Sequence, residues 1–244
     1  MTRVTDEPAL VLHTMPYRES SLIATLLTLH HGRVAALARG VRKTRRGHSL
    51  QALARLKTGW SGRSSLVTLT HFESTSQAWL KGDAMAAGFY ITELINRLVQ
   101  ERESLPRLFA GACWAIDRLD DGATDLEEVL RSFEKLLLDE LGYGLDFSHD
   151  AQTGLAIDKS CNYRLEAEQG FIHTPESESS AGFEQIVYPG SALLDIAAGN
   201  FSSRPSRKAG KRIFRECLAP HLGAKPLTSR RLLAKNLVSG GMRR

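Results

Sequence analysis

The chain has 244 residues, of which 42% are hydrophobic and 24% charged, with a formal net charge of +5. This composition is typical of a globular protein and excludes disordered and fibrous classes. No apolar run of about 18 residues is present, and Asp6, Glu7 and Pro8 interrupt the stretch where a signal peptide needs apolar residues. Three separated cysteines without CxxC spacing argue against a disulfide framework. We therefore expect a cytoplasmic protein with reduced thiols.

The charge is unevenly distributed along the chain. From Ser20 to Phe72 there are nine cations and no Asp or Glu, residues 73–200 hold nine cations against 23 carboxylates, and twelve cations after residue 203 accompany only Glu216. This basic, acidic, basic order indicates surfaces that bind a polyanion. The alternative, solvated basic faces that balance an acidic middle, is the weaker one for a stretch of 53 residues without an acid.

The first basic segment predicts strands. Apolar, partly β-branched runs separated by turn residues fall at 9–15, 21–31, 33–39, 50–60 and 64–73. In the fourth, Ala54 and Leu56 alternate with Arg55 and Lys57, which predicts one buried and one cationic face. Five short strands of this kind predict an OB-type barrel, a fold that binds oligonucleotides. The intervening "GVRKTRRGHS" (40–49) is expected to be a flexible cationic arm that reaches phosphates without fixed geometry.

Helices are predicted after the strands. Amphipathic patterns cover 82–102, 104–119 and 124–142, with Ser104 and Thr124 as expected N-caps. A loop and a hairpin over 161–174, turning at Glu168 to Gly170, follow. The expected fold class is α+β, an N-terminal five-stranded OB-fold β-barrel followed by an α-helical domain with a small loop and hairpin insertion. The expected domains are a barrel at 1–80, a helical bundle at 81–145, a loop and hairpin region at 146–188, and basic C-terminal helices packing on the helical domain at 189–244.

A second cationic surface is predicted on the last helix. Its cations recur at spacings of three and four, so they share one side: Arg204, Arg207, Lys208, Lys211, Arg212 and Arg215. Like charges at such spacings destabilise an isolated helix, so the pattern favours a bound anion over a merely solvated face. The barrel residues expected to contact the same kind of anion are Arg33, Arg39, Arg42, Lys43, Arg45, Arg46, Arg55 and Lys57.

Signatures of catalysis are missing from the sequence. It has no phosphate-binding GxxxxGK[ST] loop, no GxGxxG, no HExxH and no GxSxG elbow. Asp146, His149, Asp150 and Cys161 are possible zinc ligands, but a single thiol without a second pair argues against a metal site. We expect no enzyme activity, no metal and no cofactor.

Four segments resemble one known family. They are "ALVLHTMPYRESSLIATLLTLHHGRVAALARGVRKTRR", "GFYITELINRLV", "RSFEKLLLDELGYGLDF" and "PHLGAKPLTSRRL", in the same order through nearly the whole chain. Together they are similar to RecO, the family of bacterial recombination mediators and DNA-annealing proteins. The resemblance implies binding of single- and double-stranded DNA, docking onto the acidic, Phe-terminated C-terminal tail of single-stranded DNA-binding protein, and partnership with RecR. It implies a nucleoid-associated protein without a membrane partner.

The resemblance also assigns residues. Some members carry four zinc-binding cysteines after the helices, whereas the corresponding region here holds His149, Asp150, Cys161 and His173 without CxxC, so no zinc is expected. The family's tail-binding pocket lies in the central helices. By carry-over, Arg131 would pair with a carboxylate of the tail, and the apolar slot for its Phe would be lined by Leu105, Leu108, Phe109 and Phe133. Plain helical core is the alternative for these apolar residues.

Other functions stay open at this point. A basic OB barrel also suits an RNA- or ribosome-associated binding protein without catalytic activity. A nucleic-acid-processing enzyme would need clustered carboxylates for Mg²⁺, and the sequence shows none. Sequence-tolerant binding of single strands commonly uses stacked aromatics, for which Tyr17, Trp60 and Phe72 are the candidates in the barrel.

Overall fold

The structure is a computed structural model that describes residues 3–166, 169–175, 186–230 and 232. Its elements, in chain order, are β1 Arg3–Tyr17, β2 Ser21–Thr28, β3 Gly32–Ala38, α1 Arg45–His48, β4 Ala54–Ser61, β5 Leu66–Gln77, α2 Gly82–Leu98, α3 Pro106–Asp121, α4 Leu126–Glu140, β6 Asn162–Glu166, β7 Gly170–Thr174, β8 Val187–Pro189, α5 Gly190–Ala197 and α6 Arg204–Leu222. In none of the described helices is there a stretch long and apolar enough to cross a membrane.

The first five strands close into a barrel. Their order is β1-β2-β3-β5-β4, with β3 and β5 parallel and the other pairs antiparallel. The long β1 pairs with β4 between Arg3 and Leu10 and with β2 between Ala9 and Tyr17. Register shifts lie between Val4 and Glu7 and between Val11 and His13. The predicted α+β class with an N-terminal OB barrel is confirmed.

The barrel core follows the alternation read from the sequence. Inward positions of every strand are buried, including Val11, Ala24, Val34, Leu56 and Val67, which belong to one apolar cluster. The fourth strand begins at Ala54, four residues after its predicted start. The reason is local, because Leu53 has a left-handed φ of 72° that ends the preceding loop and cannot extend the strand.

Helices α2 and α3 appear where the periodicity predicted them. Helix α2 ends at Leu98 because the chain turns extended at Val99, and α3 starts at Pro106 with Leu105 in the N-cap position. Ser104, the expected N-cap, instead donates its hydroxyl to the Leu29 carbonyl at 3.4 Å. A contact with the β2–β3 turn has replaced the predicted local bond.

Helix α2 also holds a segment that returns from far along the chain. Glu93 accepts hydrogen bonds from the backbone N–H groups of Thr228 and Ser229, both at 2.9 Å. Arg97 donates to the carbonyls of Leu222 and Lys225. Residue contacts divide the chain accordingly: the first unit runs to Leu126 and resumes at Leu222, and the second unit comprises Glu127–His221.

The second unit contains a three-stranded sheet in the order β7-β6-β8 together with α5 and most of α4 and α6. The predicted hairpin is confirmed as β6 and β7, although Glu168 of its turn lies outside the described residues. Asp150 links the preceding loop to this hairpin. One carboxylate oxygen accepts the N–H groups of Gln152 and Thr153, and the other accepts the N–H of His173 at 2.7 Å.

Candidate nucleic-acid interface

The cationic segment between β3 and β4 is folded against the β1–β2 turn. The Arg42 N–H donates to the Ser20 carbonyl at 2.9 Å, and the Arg42 guanidinium donates to the Arg18 carbonyl at 3.1 Å. Gly40 N–H reaches the Ser21 hydroxyl at 3.4 Å. Two loops that are distant in sequence therefore form one surface.

The segment also has its own internal structure. Thr44 accepts a hydrogen bond from Gly47 N–H at 3.4 Å and caps the short helix α1, while Val41 and Leu50 are buried in the barrel core. A Cβ at Gly47 would meet the Val41 carbonyl oxygen at 2.2 Å, so this turn requires glycine. The expectation of a flexible arm is wrong, because buried apolar anchors fix the backbone from which the cations project.

The exposed cations of the two loops are Arg18, Arg39, Arg42, Lys43, Arg45 and Arg46, which we call the loop patch. Glu19 is the one carboxylate within these loops. Arg46 lies over the Phe72 ring at 5.1 Å and Arg18 over the Tyr17 ring at 5.4 Å, so two guanidinium groups are oriented by aromatic faces. Arg18 was not among the predicted binding residues, because only the pairing of β1 with β2 places its turn beside residues 39–49.

Three further predicted binding residues lie outside the loop patch and have partners within the first unit. Arg33 donates to the Val99 carbonyl at 2.8 Å and lies 3.7 Å from Glu101. Arg55 donates to the Cys113 carbonyl at 2.6 Å and to Asp117 at 2.7 Å, which joins β4 to α3. These two arginines attach helical segments to the barrel.

Lys57 forms the third of these contacts, an exposed ion pair with Asp6 at 3.2 Å. Two of the aromatic candidates for base stacking, Trp60 and Phe72, are covered by other parts of the first unit. Trp60 is only 2% exposed and belongs to the barrel core, and Phe72 is half-buried beneath Arg46. An exposed aromatic platform is thus not formed by these two rings.

The predicted stripe on α6 lies opposite the buried side of that helix, which presents Ile213, Phe214 and Leu218 to the core. Arg207 donates to the carbonyls of Phe201 and Ser202, at 3.0 and 2.6 Å, and Lys211 pairs with Glu127 at 2.6 Å. The remaining members are exposed and form no ion pair with any described residue: Arg204, Lys208, Arg212 and Arg215. We call these four residues the helix stripe.

The residues expected to receive a partner's tail are buried or belong to different units. Arg131 is 5% exposed and pairs with Glu134 at 3.0 Å, and Phe133 is fully buried. Both lie in the second unit, whereas Leu105, Leu108 and Phe109 lie in the first. A carboxylate from another protein would have to compete with Glu134 for Arg131, so this assignment stays a prediction.

The residues at the zinc-site position have other contacts. His149 pairs with Asp146 at 2.8 Å, and Asp150 acts as the loop-to-hairpin link described above. Burial opposes ionisation of Asp150, but hydrogen bonds from Thr153, His173 and Gln152 outweigh it and lower the pKa of its carboxyl. Within the described ranges, no three His, Cys, Asp or Glu side chains gather as metal ligands.

A closed barrel in the order β1-β2-β3-β5-β4, with a cationic surface formed by its loops, is typical of OB-fold proteins that bind nucleic acid. Comparison with known families narrows this class. Residues 1–78 match the family described as recombination protein O N terminal, and residues 80–231 match recombination protein O C terminal. The chain belongs to the RecO family of DNA repair and recombination proteins.

Individual relatives cover almost the whole chain. The DNA repair protein RecO of Cellvibrio japonicus is 40% identical over 234 residues, which is 94% of this chain and 97% of the relative. That of Coxiella burnetii is 41% identical over 95% of this chain and 98% of its own length. The Haemophilus influenzae protein is 38% identical, with 93% and 95% covered. The resemblance seen in the sequence is confirmed.

Proposed function

We propose that this protein binds single- and double-stranded DNA, anneals complementary strands coated with single-stranded DNA-binding protein, and with RecR helps to load a recombinase. The observation that carries the proposal is the loop patch, in which the hydrogen bonds of Arg42 join two loops so that six cations share one surface. The relatives named DNA repair protein RecO support the DNA-repair context. No catalytic step is part of the proposal.

Electrostatics explains how such a surface promotes annealing. Two complementary strands repel each other through their phosphates, and each cation that neutralises a phosphate releases a condensed counterion. The loop patch would hold one strand and the helix stripe the other, so the repulsion is reduced before any base pair forms. Base pairing then supplies the sequence specificity. Arg33 and Arg55 are not part of the proposed interface, because their guanidinium groups already bind Val99, Cys113 and Asp117.

The two proposed protein partners, single-stranded DNA-binding protein and RecR, follow from membership of the RecO family. The tail of single-stranded DNA-binding protein would dock on the helical part of the protein and deliver coated DNA to the loop patch. RecR would act with the resulting complex. For Arg131 to take part, its pair with Glu134 would have to open. Arg131→Ala tests the carried-over pocket only when tail binding is compared with the free energy of unfolding, because the variant removes the cation paired with the buried Glu134 carboxylate.

The experiment is annealing of complementary oligonucleotides coated with single-stranded DNA-binding protein, with and without that protein's C-terminal tail. We expect acceleration with the full-length coating protein and loss of acceleration when the tail is deleted. Annealing no faster than that of the strands alone would contradict the proposed function. Stronger binding to folded RNA than to single-stranded DNA would instead support the RNA-associated alternative.

A further inference from the structure

A cleft lies along helix α2 in the first unit. One wall is α2, and the other is the chain segment from Lys225 to Arg230, which runs antiparallel to it. Arg97, near the end of α2, donates to the Lys225 carbonyl. Arg230, further along the segment, lies over the ring of Tyr90, which comes earlier in α2. The cleft has a volume of about 620 Å³, a size typical of small-molecule sites. Its floor is formed by β1 and the loop before β4, through Leu12, His13 and Ala52.

The two ends of the cleft differ in chemistry. Phe89 lines one end, and the antiparallel direction of the walls places Leu232 at the same end. The other end is polar and is lined by Asn96, Arg97 and Lys225. Phe89 and Asn96 lie two turns apart on one side of α2, so the apolar and polar ends are separated by about 10 Å.

The α2 side chains in the middle of the cleft have internal partners. Thr92 donates its hydroxyl to the Phe89 carbonyl at 3.1 Å. Glu93 accepts the hydroxyl of Ser229 at 2.6 Å, in addition to the N–H groups of Thr228 and Ser229. These bonds hold the two walls together and leave the polar end to contact a ligand.

The polar end suits a singly charged anion. The side chains of Asn96 and Lys225 form no hydrogen bond or ion pair with any described residue. The Arg97 guanidinium is fixed by the carbonyls of Leu222 and Lys225, so two cations and an amide donor line this end. Glu93 lies one turn away on α2 and opposes a second negative charge, which favours a carboxylate over a phosphate.

The rest of the occupant must be apolar. An extended peptide needs backbone partners, but the wall segment offers few, because its backbone carbonyls and N–H groups are bonded to Arg97 and Glu93. An alkyl chain needs no such partners and gains from leaving water beside Phe89 and Leu232.

We infer that the cleft binds a carboxylate with an alkyl chain, the class of the medium-chain fatty acids. The carboxylate contacts Asn96 and Lys225, and the chain runs along α2 towards Phe89. A chain of about eight carbons matches the separation of about 10 Å between the two ends. This ligand goes beyond the proposed function, since none of the described residues that line the cleft belongs to the loop patch or the helix stripe.

The test titrates straight-chain carboxylates from butanoate to decanoate into the full-length protein, below their micelle concentrations, with detection by NMR of the ligand. We expect the affinity to rise about threefold for each added carbon up to octanoate, and to level off at decanoate, whose chain is longer than the cleft. Octanamide, which has the same shape but no charge, should bind about tenfold more weakly than octanoate.

Two variants at exposed sites locate the ends of the ligand. Lys225→Gln removes a cation and should weaken all the carboxylates by about fivefold. Leu232→Ala removes apolar surface and should weaken octanoate by about fivefold while leaving butanoate unchanged. Neither variant removes a described contact of Glu93 or Arg97. The matched control is Lys81→Gln, an exposed cation just before α2, which should change no affinity.

Four results would overturn the inference. They are an affinity that does not depend on chain length, octanamide binding as tightly as octanoate, and wild-type affinities in a folded Lys225→Gln protein. The fourth is displacement of octanoate by the tail peptide of single-stranded DNA-binding protein at a lower concentration than that of octanoate itself, which would assign the cleft to a protein segment. DNA binding and annealing do not enter these measurements, so a negative result here leaves the proposed function standing.

Discussion

The loop patch and the helix stripe are both rich in arginine and lysine, but their backbones are fixed by different means. In the loop patch, hydrogen bonds between two loops and the burial of Val41 bring residues from separate strands together. In the helix stripe, a single regular helix supplies the spacing, and its neighbours Arg207 and Lys211 are used for intramolecular contacts. The loop patch therefore depends on tertiary structure, whereas the stripe depends only on helix periodicity.

The largest expected effect tests this comparison directly. Replacing Arg42, Lys43, Arg45 and Arg46 by alanine should weaken binding of single-stranded DNA about 100-fold and lower the salt slope by about 3. The matched variant removes the same charge from the helix stripe, at Arg204, Lys208, Arg212 and Arg215. It should weaken single-strand binding less than about tenfold while slowing annealing, because it removes the second strand's site. Equal losses of single-strand affinity in titrations at several salt concentrations would show that the two surfaces are not distinct.

The next expected effect concerns Arg55, whose hydrogen bonds attach α3 to the barrel and which is not part of the proposed DNA interface. Arg55→Ala leaves Asp117 and the Cys113 carbonyl without their donor and should lower the free energy of unfolding by about 2 kcal/mol. Its control is Lys57→Ala, which removes an exposed ion pair two residues away and should cost less than about 0.5 kcal/mol. Urea unfolding followed by circular dichroism measures both. A stable Arg55→Ala protein with impaired DNA binding would return Arg55 to the interface.

The second unit, which carries the helix stripe, offers a pH-dependent test. Asp150→Asn keeps one acceptor oxygen but places an NH₂ group opposite the His173 N–H, and should cost about 1.5 kcal/mol at neutral pH. The pKa of Asp150 is lowered in the folded state, so its stabilisation is complete above the carboxyl's ordinary pKa and is lost as pH falls through the folded value. Thermal unfolding from pH 7 down to about pH 3 should therefore show a smaller difference between wild type and variant at acid pH. A constant difference would mean that the charge of Asp150 is not what stabilises the hairpin.

The smallest expected effect concerns Lys211, whose ion pair with Glu127 is half-exposed. Lys211→Ala should change the free energy of unfolding by less than about 0.5 kcal/mol. Measured next to the helix-stripe variant, it also shows whether an engaged cation contributes to annealing. A loss of annealing as large as that caused by removing Arg212 alone would mean that the Glu127 pair opens on DNA.

The sequence was sufficient for the barrel, because strand alternation depends on local pattern and the OB topology uses five strands of ordinary length. It did not show which cations are free to bind DNA and which are bound to other parts of the chain. Arg55 sits at an outward strand position, as predicted, but its partner Cys113 lies 58 residues away. Arg33 likewise binds Val99, 66 residues away. Ser104, the expected N-cap of α3, likewise has its partner Leu29 far away, at a separation of 75 residues. Arg18 was missed because a three-residue turn carries no charge pattern of its own.

The return of the chain to helix α2 has a consequence for synthesis. Glu93 and Arg97 emerge from the ribosome early, yet their partners at residues 222–229 are made only after the whole second unit. Since domains generally fold as they emerge, the second unit, an insertion within the first, can fold while those partners are still missing. Residues 222–229 can therefore dock on α2 only in a chain that has been translated through both units.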